Sequence, residues 1–575
     1  MKIRLTLLAA LCCLLSFVSC SEEDPLANYD PTVKAKITVN RNSFDAECDT
    51  SRFVTRIKST YLWKIDIPAE ADWITASQYW GDSLGTYKVY FYIDANTTTA
   101  ERSCVITIHS GKSKKTINVT QARQVRILNP ADVSTEGIYI PQELRGMDLY
   151  KSSSKWYYGR SRQSDHVIVF WQRGENWDEY GDVTPTECSN SSYRVDIDDL
   201  LQKAETFYTT NVEKLKFCET GQGKSTLDKY KFLIFLNHQS DWLATGSGYD
   251  NVIGALWVSP NTCQPVGSTI AHEVGHSFQY MTFCDWLLQQ GVAEDERIDV
   301  NTLQGPGWRY GFGSKGAGGN AFWEQTAQWQ SFVCYPGEIF SNYYYQGYLD
   351  AVHLHNFHED PRYSNYFIHW YWAHCHGIEE VGRLWRESQY PEDPWQTYQR
   401  LHGLSLSELN DEIFEYARRM VTWDMDDIRS RGKSQMGKVT WKYTKADGWF
   451  KVAVAKCPQS TGFNVITLKD FTAGDTVRAE FAGITDDQSY HIVNPDRAGW
   501  RYGFVAYCSD GSRAYSDIFS QKEGTAQMVL PENCTKLWLV VSATPTVYER
   551  HAWDDDSSND AVWPYKVRFE GTTVR

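Results

Sequence analysis

The hydrophobic residues of this chain change their period twice, and that change most limits what the chain can fold into. From Lys34 to about Arg123 apolar residues recur at every second position in short runs. These are Lys36 to Val39, Tyr87 to Ile93, Cys104 to His109 and Thr116 to Thr120, with Asn96-Thr97 and Ser110-Gly111 as turns between them. Side chains alternate across a strand, so the pattern predicts short strands with one buried face, packed as a small β-sandwich. From 124 to about 435 the pattern is mixed. The continuous apolar runs Val167 to Trp171 and Phe232 to Leu236 predict strands buried on both faces. Helical spacing marks Asp196 to Val212, Ser268 to Tyr280, Ala321 to Val333, Tyr366 to Cys375 and Ser405 to Val421. A glycine-rich loop, Gly305 to Gly319, separates two of these helices. From 436 onward strands return at Gly437 to Tyr443, Trp449 to Val454, Ala526 to Leu530 and Lys536 to Ser542. One core cannot serve 575 residues. The expectation is a multidomain chain with an N-terminal β-sandwich over 34–123, a central α+β domain over 124–435 and a C-terminal β-sandwich over 436–575.

The N-terminus reads as an export signal over 1–20. Lys2 and Arg4 precede an apolar run from Leu5 to Val18 that is too short to span a membrane in the mature protein. The run closes on Phe17-Val18-Ser19-Cys20, which resembles the lipobox of bacterial lipoproteins. That resemblance implies acylation of Cys20. Ser21-Glu22-Glu23-Asp24 resembles the surface-export signals of Bacteroidetes lipoproteins, and residues 21–33 read as a tether. The expected location is the outer membrane, lipid-anchored at Cys20 and exposed at the cell surface, with no other membrane contact. A net charge of -15 argues against nucleic acid as a partner. Of the 14 cysteines, those beyond Cys20 are odd in number, and no CxxC pair occurs, so a cysteine-bound structural zinc has little support. An aromatic content of 14% favours contact with glycans, because flat rings stack on sugars, although the same rings also fill cores.

The chemistry concentrates in Ala271-His272-Glu273-Val274-Gly275-His276. Residues four apart share one face of a helix, so His272 and His276 can ligate one Zn2+ ion, with Glu273 beside them to act on a metal-bound water. Gly254-Ala255-Leu256-Trp257-Val258, just upstream, reads as an edge strand on which an extended substrate could pair. A third ligand is required, and no further histidine follows at metzincin spacing. Phe322-Trp323-Glu324-Gln325-Thr326-Ala327-Gln328-Trp329 resembles the glutamate helix of gluzincin peptidases. That resemblance implies a zincin-like central domain with Glu324 as third ligand, Ala327 as the small residue that lets two helices approach, and Gln328 where many members carry an aspartate. Catalysis also needs a donor for a developing oxyanion. Tyr366, His369, Tyr371 and His374 share one helix, and Tyr366 and His369 are the candidates, set against a plain aromatic core.

Trp63-Lys64-Ile65, Ala71-Asp72-Trp73-Ile74, Arg102 to Ile108 and Thr116 to Gln121 resemble the BACON domain. That implies either a carbohydrate-binding module or a spacer. From 124 to the end, Leu537-Trp538-Leu539-Val540-Val541 and Trp563-Pro564-Tyr565 accompany the motif as in a family of secreted Bacteroidetes lipoproteins. His353, His355 and His358 form a second histidine cluster, read here as a loop or helix face in preference to a second metal site, and Asp554-Asp555-Asp556 with Asn559-Asp560 is oxygen-rich enough to consider calcium. The sequence therefore supports a cell-surface zinc metallopeptidase acting on extracellular proteins, glycoproteins such as mucins among them. Two alternatives stand beside it: a non-catalytic glycan-binding lipoprotein, and a metal-dependent hydrolase of glycans.

Overall fold

The computed structural model of the chain describes residues 26–575 apart from residues 49, 84, 97, 99, 123–126, 175–182, 309–320, 440 and 555. The export segment, Cys20 and most of the glycine-rich loop lie outside the described residues. The chain forms two compact units, Met1–Arg126 and Ile127–Arg575. Among the described residues no helix is long and apolar enough to cross a membrane.

The first unit is a β-sandwich. One sheet orders the strands Ile37–Val39, Ser51–Ser59, Thr86–Ile93 and Ile74–Ala76, and the other orders Ser43–Ala46, Ser113–Gln121, Arg102–Ser110, Trp63–Asp66 and Trp80–Gly81. Strict alternation along Ser51–Ser59 sends Phe53 and Ile57 inward. They meet Val89, Phe91, Trp63, Ile106, Ile108 and Val119 in one core drawn from both sheets. The expected strands are present; Ile37–Val39 is one residue shorter than its run, and the other three are longer because backbone pairing continues past the last buried residue.

The second unit begins with a mixed five-stranded sheet in the order Ser161–Gln163, Val167–Trp171, Phe232–Leu236, Ile253–Val258 and Ala244–Tyr249. The three inner strands run parallel and the outer two antiparallel to their neighbours. Phe232 and Phe235 explain the unbroken apolar runs. Phe232 stacks on Phe278 of the helix Ser268–Gln289, while Phe235 faces Trp156 on the opposite side. The strand Ile253–Val258 lies inside the sheet. This corrects its reading as the edge: the edge strand is Ala244–Tyr249.

The motif helix runs to Gln289, nine residues past its expected end, because Met281, Phe283, Cys284 and Leu287 remain buried. Near that end Asp285 is buried, accepting from the Ser225 hydroxyl at 2.9 Å and the Thr226 N–H at 3.1 Å. Burial pushes its carboxyl from 3.8 up to about 7, against the hydrogen bonds that lower it. The folded form thus holds the proton more tightly than the unfolded chain does. The stabilisation is complete below about pH 4 and is lost as pH rises through about 7. Asp285→Asn is expected to melt several degrees above wild type at pH 8 and level with it at pH 4, read by thermal denaturation across that range.

The C-terminal strands form two five-stranded sheets with a core between them that includes Phe481, Trp500, Leu539 and Tyr565. Their boundary at 436 is not a break between compact units. Phe463, Val465, Trp538 and Val540 on the outer face of one sheet join the central core, where the helix Leu406–Met420 packs. The strand expected at Gly437 to Tyr443 is instead Tyr443–Ala446, which is exposed along its length and pairs with Trp449–Val452.

Candidate metal centre

His272 and His276 project from one turn of the motif helix towards Glu324 of the helix Ala321–Cys334. Their Nε2 atoms lie 3.1 Å apart, and each is 3.1 Å from Glu324 Oε2. The three donor atoms form an equilateral triangle at the base of a cleft. Small residues allow it: a Cβ built at Gly275 would sit 3.3 Å from Ala327 Cα and 2.7 Å from Gln330 Oε1.

A chain of amides orients His276. Its Nδ1 lies 3.1 Å from Gln279 Oε1, while Gln279 Nε2 donates to Trp323 O and to Gln330 Oε1. Gln330 in turn donates to Asn211 Oδ1 at 2.6 Å. The Gln279 amide group is already committed to two acceptors, so its oxygen accepts the Nδ1–H, and in the neutral ring Nε2 keeps the lone pair. Asn211 stands in a π-turn, Thr210–Lys214, where helical spacing alone continued the preceding helix. Gln328 lines the cleft, but the hydrogen-bond partner of His276 is Gln279. His272 Nδ1 is buried without a hydrogen-bond partner among the described residues.

The electrostatics of the triangle favour a cation. Burial works to lower the His276 pKa, yet the Glu324 carboxylate, with Glu273 behind it, outweighs burial and pushes it up to about 9. Burial likewise works to raise the Glu324 pKa, and hydrogen bonds to the two histidines hold it far below the usual carboxylate range.

Glu273 Oε2 accepts the backbone N–H of Gly246 at 2.9 Å, which ties the motif helix to the edge strand. Tyr363 was not singled out in the sequence. Its hydroxyl donates to Glu324 Oε1 at 3.1 Å, and its ring stacks on Tyr344 with centroids 5.3 Å apart. Burial, then the charge of Glu324, raises its pKa. The cleft has a volume of about 660 Å³, with the edge strand along one wall and Tyr344 and Tyr363 on the other. Trp242 and Tyr343 stand on its rim, 63% and 90% exposed.

Tyr366 and His369 do not reach this cleft, which corrects their selection as catalytic candidates. Both are fully buried. The Tyr366 hydroxyl donates to Ile339 O at 2.8 Å. His369 stacks against Phe322 and Trp329, with Nε2 2.9 Å from Thr326 Oγ1. Their helix, Phe367–His376, is buried from Phe367 through Ala373 and packs as core. Tyr371 points instead to Glu412, and His374 to Asp426.

The fold and site together define a two-unit protein: a β-sandwich, and a larger α/β unit whose cleft is built around a His-His-Glu triangle. The chain belongs to the family of unknown function DUF6055, whose family model matches residues 130–575. Residues 63–122 match the BACON domain, described as an N-terminal domain with a conjectured binding role. No curated protein matches the chain. Among solved structures it is similar to domains 4 and 5 of the S-layer protein SbsC, with 16% identity, 15% of this chain and 51% of that one covered, and a TM-score of 0.12. This chain thus spans about half the length of that structure. It is also similar to a Bacteroides ovatus GH5 xyloglucanase, with 12% identity, 53% and 82% covered, and a TM-score of 0.17. A third is the C-terminal family 22 carbohydrate-binding module of Clostridium thermocellum Xyn10B, with 10% identity, 23% and 87% covered, and a TM-score of 0.14. At these scores the likenesses say nothing of what this chain does.

Proposed function

We propose that the cleft is the active site of a zinc-dependent peptidase that cleaves extracellular proteins. The observation that carries this reading is the 3.1 Å triangle of His272, His276 and Glu324 with Glu273 beside it. Three ligands of a tetrahedral zinc ion at bonds of about 2.0–2.1 Å are separated by roughly 3.3 Å, so the donors already stand near the required spacing. Two imidazoles, one carboxylate and an open side facing the cleft are the donor set of a catalytic rather than a structural zinc. When bound there, zinc supplies a Lewis acid and lowers the pKa of water.

The remaining roles fall to the chain's own side chains. Glu273, held at Oε2 by Gly246, takes the proton of the attacking water at its other oxygen and returns it to the leaving amine. Tyr363, beside His272 with ring centroids 6.0 Å apart, turns its O–H from Glu324 Oε1 to the developing oxyanion. The edge strand supports a peptide substrate, because its outer side can pair with an extended backbone. Trp242 and Tyr343 on the rim, and the BACON domain, support a substrate that carries sugars. We place the protein at the outer-membrane surface through Cys20, on the strength of its lipobox-like sequence.

The test is incubation of the full-length protein with an extracellular glycoprotein and with its deglycosylated form, reading new N-termini by mass spectrometry. New termini that vanish with a zinc chelator support the reading. Release of sugars without new termini would transfer the site to glycan hydrolysis, and binding without either product would make the protein a glycan-binding module. Tyr363→Phe is expected to lower kcat about 10²-fold with KM little changed and zinc retained, measured by steady-state kinetics beside metal analysis.

A further inference from the structure

The histidine cluster at 353–358 and the acidic loop at 554–560 are far apart in sequence, and the fold brings them together. Residues 352–365 lie against the loop that follows the strand Cys534–Ala543. There His358 Nε2 is 3.1 Å from Asp560 Oδ2, and His551 Nε2 is 2.8 Å from Glu359 Oε2. His358 Nδ1 lies 3.8 Å from that same glutamate oxygen, and the two imidazoles stack with centroids 5.1 Å apart. No side chain of the four is more than 10% exposed. His355 stacks on His551 at 4.9 Å. It is buried, and its Nε2 has no hydrogen-bond partner among the described residues. With His551 and Asp560 it lines a cavity of about 310 Å³.

The carboxylates of Glu359 and Asp560 bring two negative charges away from water, which is costly unless they are compensated. Either two protons or one divalent cation can do this. The loop carboxylates next in sequence do not contribute: Asp554 and Asp556 accept backbone N–H groups two residues on, in local turns. Asp560 turns inward and accepts the Nε2–H of His358. That leaves Nδ1 with a lone pair, now accepting the Asp360 N–H at 3.1 Å, on the side of Glu359. A carboxylate behind an imidazole is the usual support of a zinc-ligating histidine. Nitrogen donors favour zinc over calcium or magnesium, which take oxygen ligands.

We propose that His358, Glu359 and His551 form a second zinc site, with Asp560 fixing the tautomer of His358. The ion would fasten residues 352–365 to the C-terminal loop. The same segment carries Tyr363 into the cleft, so the second site holds the position of a residue given a role above. The existence of the site does not depend on that role.

The test is zinc counting by elemental mass spectrometry on the full-length protein, stripped with chelator and reloaded with Zn2+ alone. Two zinc ions per chain are expected in wild type and one in each of His272→Ala and Glu359→Gln. In His272→Ala, added Zn2+ is expected to raise Tm and added Co2+ to give the visible absorption of a four-coordinate site, and both responses are lost when Glu359→Gln is added. The glutamine is isosteric, so loss of metal there is not loss of fold. A His272→Ala protein that binds no zinc and whose Tm ignores Zn2+ overturns the proposal. One zinc in wild type, lost in His272→Ala and kept in Glu359→Gln, sinks the second site and spares the peptidase reading. The reverse pattern does the opposite.

Discussion

Glu273→Gln is expected to lower kcat on a cleaved protein substrate by about 10³-fold while zinc content stays at the wild-type value. The amide has the shape of the carboxylate, and its oxygen can still accept the Gly246 N–H now held at 2.9 Å. Glu273 touches none of the three donor atoms of the triangle, so the metal should remain. What the amide cannot do is take a proton near neutral pH and give it back to the leaving amine. Steady-state kinetics with parallel metal analysis reads both quantities. Full activity in Glu273→Gln would remove the proton transfer from this residue and, with it, the chemistry proposed for the motif.

The second large effect is expected at Gly246. A Cβ placed there would lie 1.6 Å from the backbone oxygen of Glu273 and 2.5 Å from its carbonyl carbon. Backbone cannot swing aside as a side-chain tip can, so Gly246→Ala must push the edge strand away from the motif helix. The cost belongs with the largest single-site effects, above about 4 kcal/mol. A fall in Tm of more than about 5 °C is expected, with activity lost even where the protein stays folded, because the contact that holds Glu273 is broken. Ser247→Ala, next along the strand in the same cleft wall, should shift Tm by less than about 1 °C. Thermal denaturation of the two variants side by side checks this, and equal melting temperatures would deny the close approach.

These two positions show what could be read from the sequence. His272, Glu273 and His276 are legible because the chemistry repeats with the helix period, so local spacing alone aligns them. Glu324 is legible through the residues around it, among them Ala327, whose small side chain the helix contact requires. The edge strand was missed because Ala244–Tyr249, with Gly246 and Gly248 inside it, shows no hydrophobic alternation. Its glycines answer to the motif helix: a Cβ at Gly248 would lie 2.2 Å from the Tyr280 ring. The pair of glycines two apart was the available signal. Tyr363 sits in an irregular segment, where neither period applies and only the tertiary fold delivers its hydroxyl to Glu324. His369 and Tyr366 drew attention as polar groups among aromatics. Nothing in helical spacing distinguishes a helix facing a cleft from one buried on every side up to its last turn, as theirs is. The second cluster illustrates the same limit, since His358 and Asp560 become neighbours only when the C-terminal loop closes over residues 352–365.

The central claim is that the triangle binds zinc, and the most direct measurement is metal content by elemental mass spectrometry on the full-length protein, beside His272→Ala and Glu324→Ala. Each variant is expected to hold one zinc fewer per chain than wild type, with circular dichroism unchanged. Equal zinc in all three proteins, or none in wild type after reloading with Zn2+, would contradict the account.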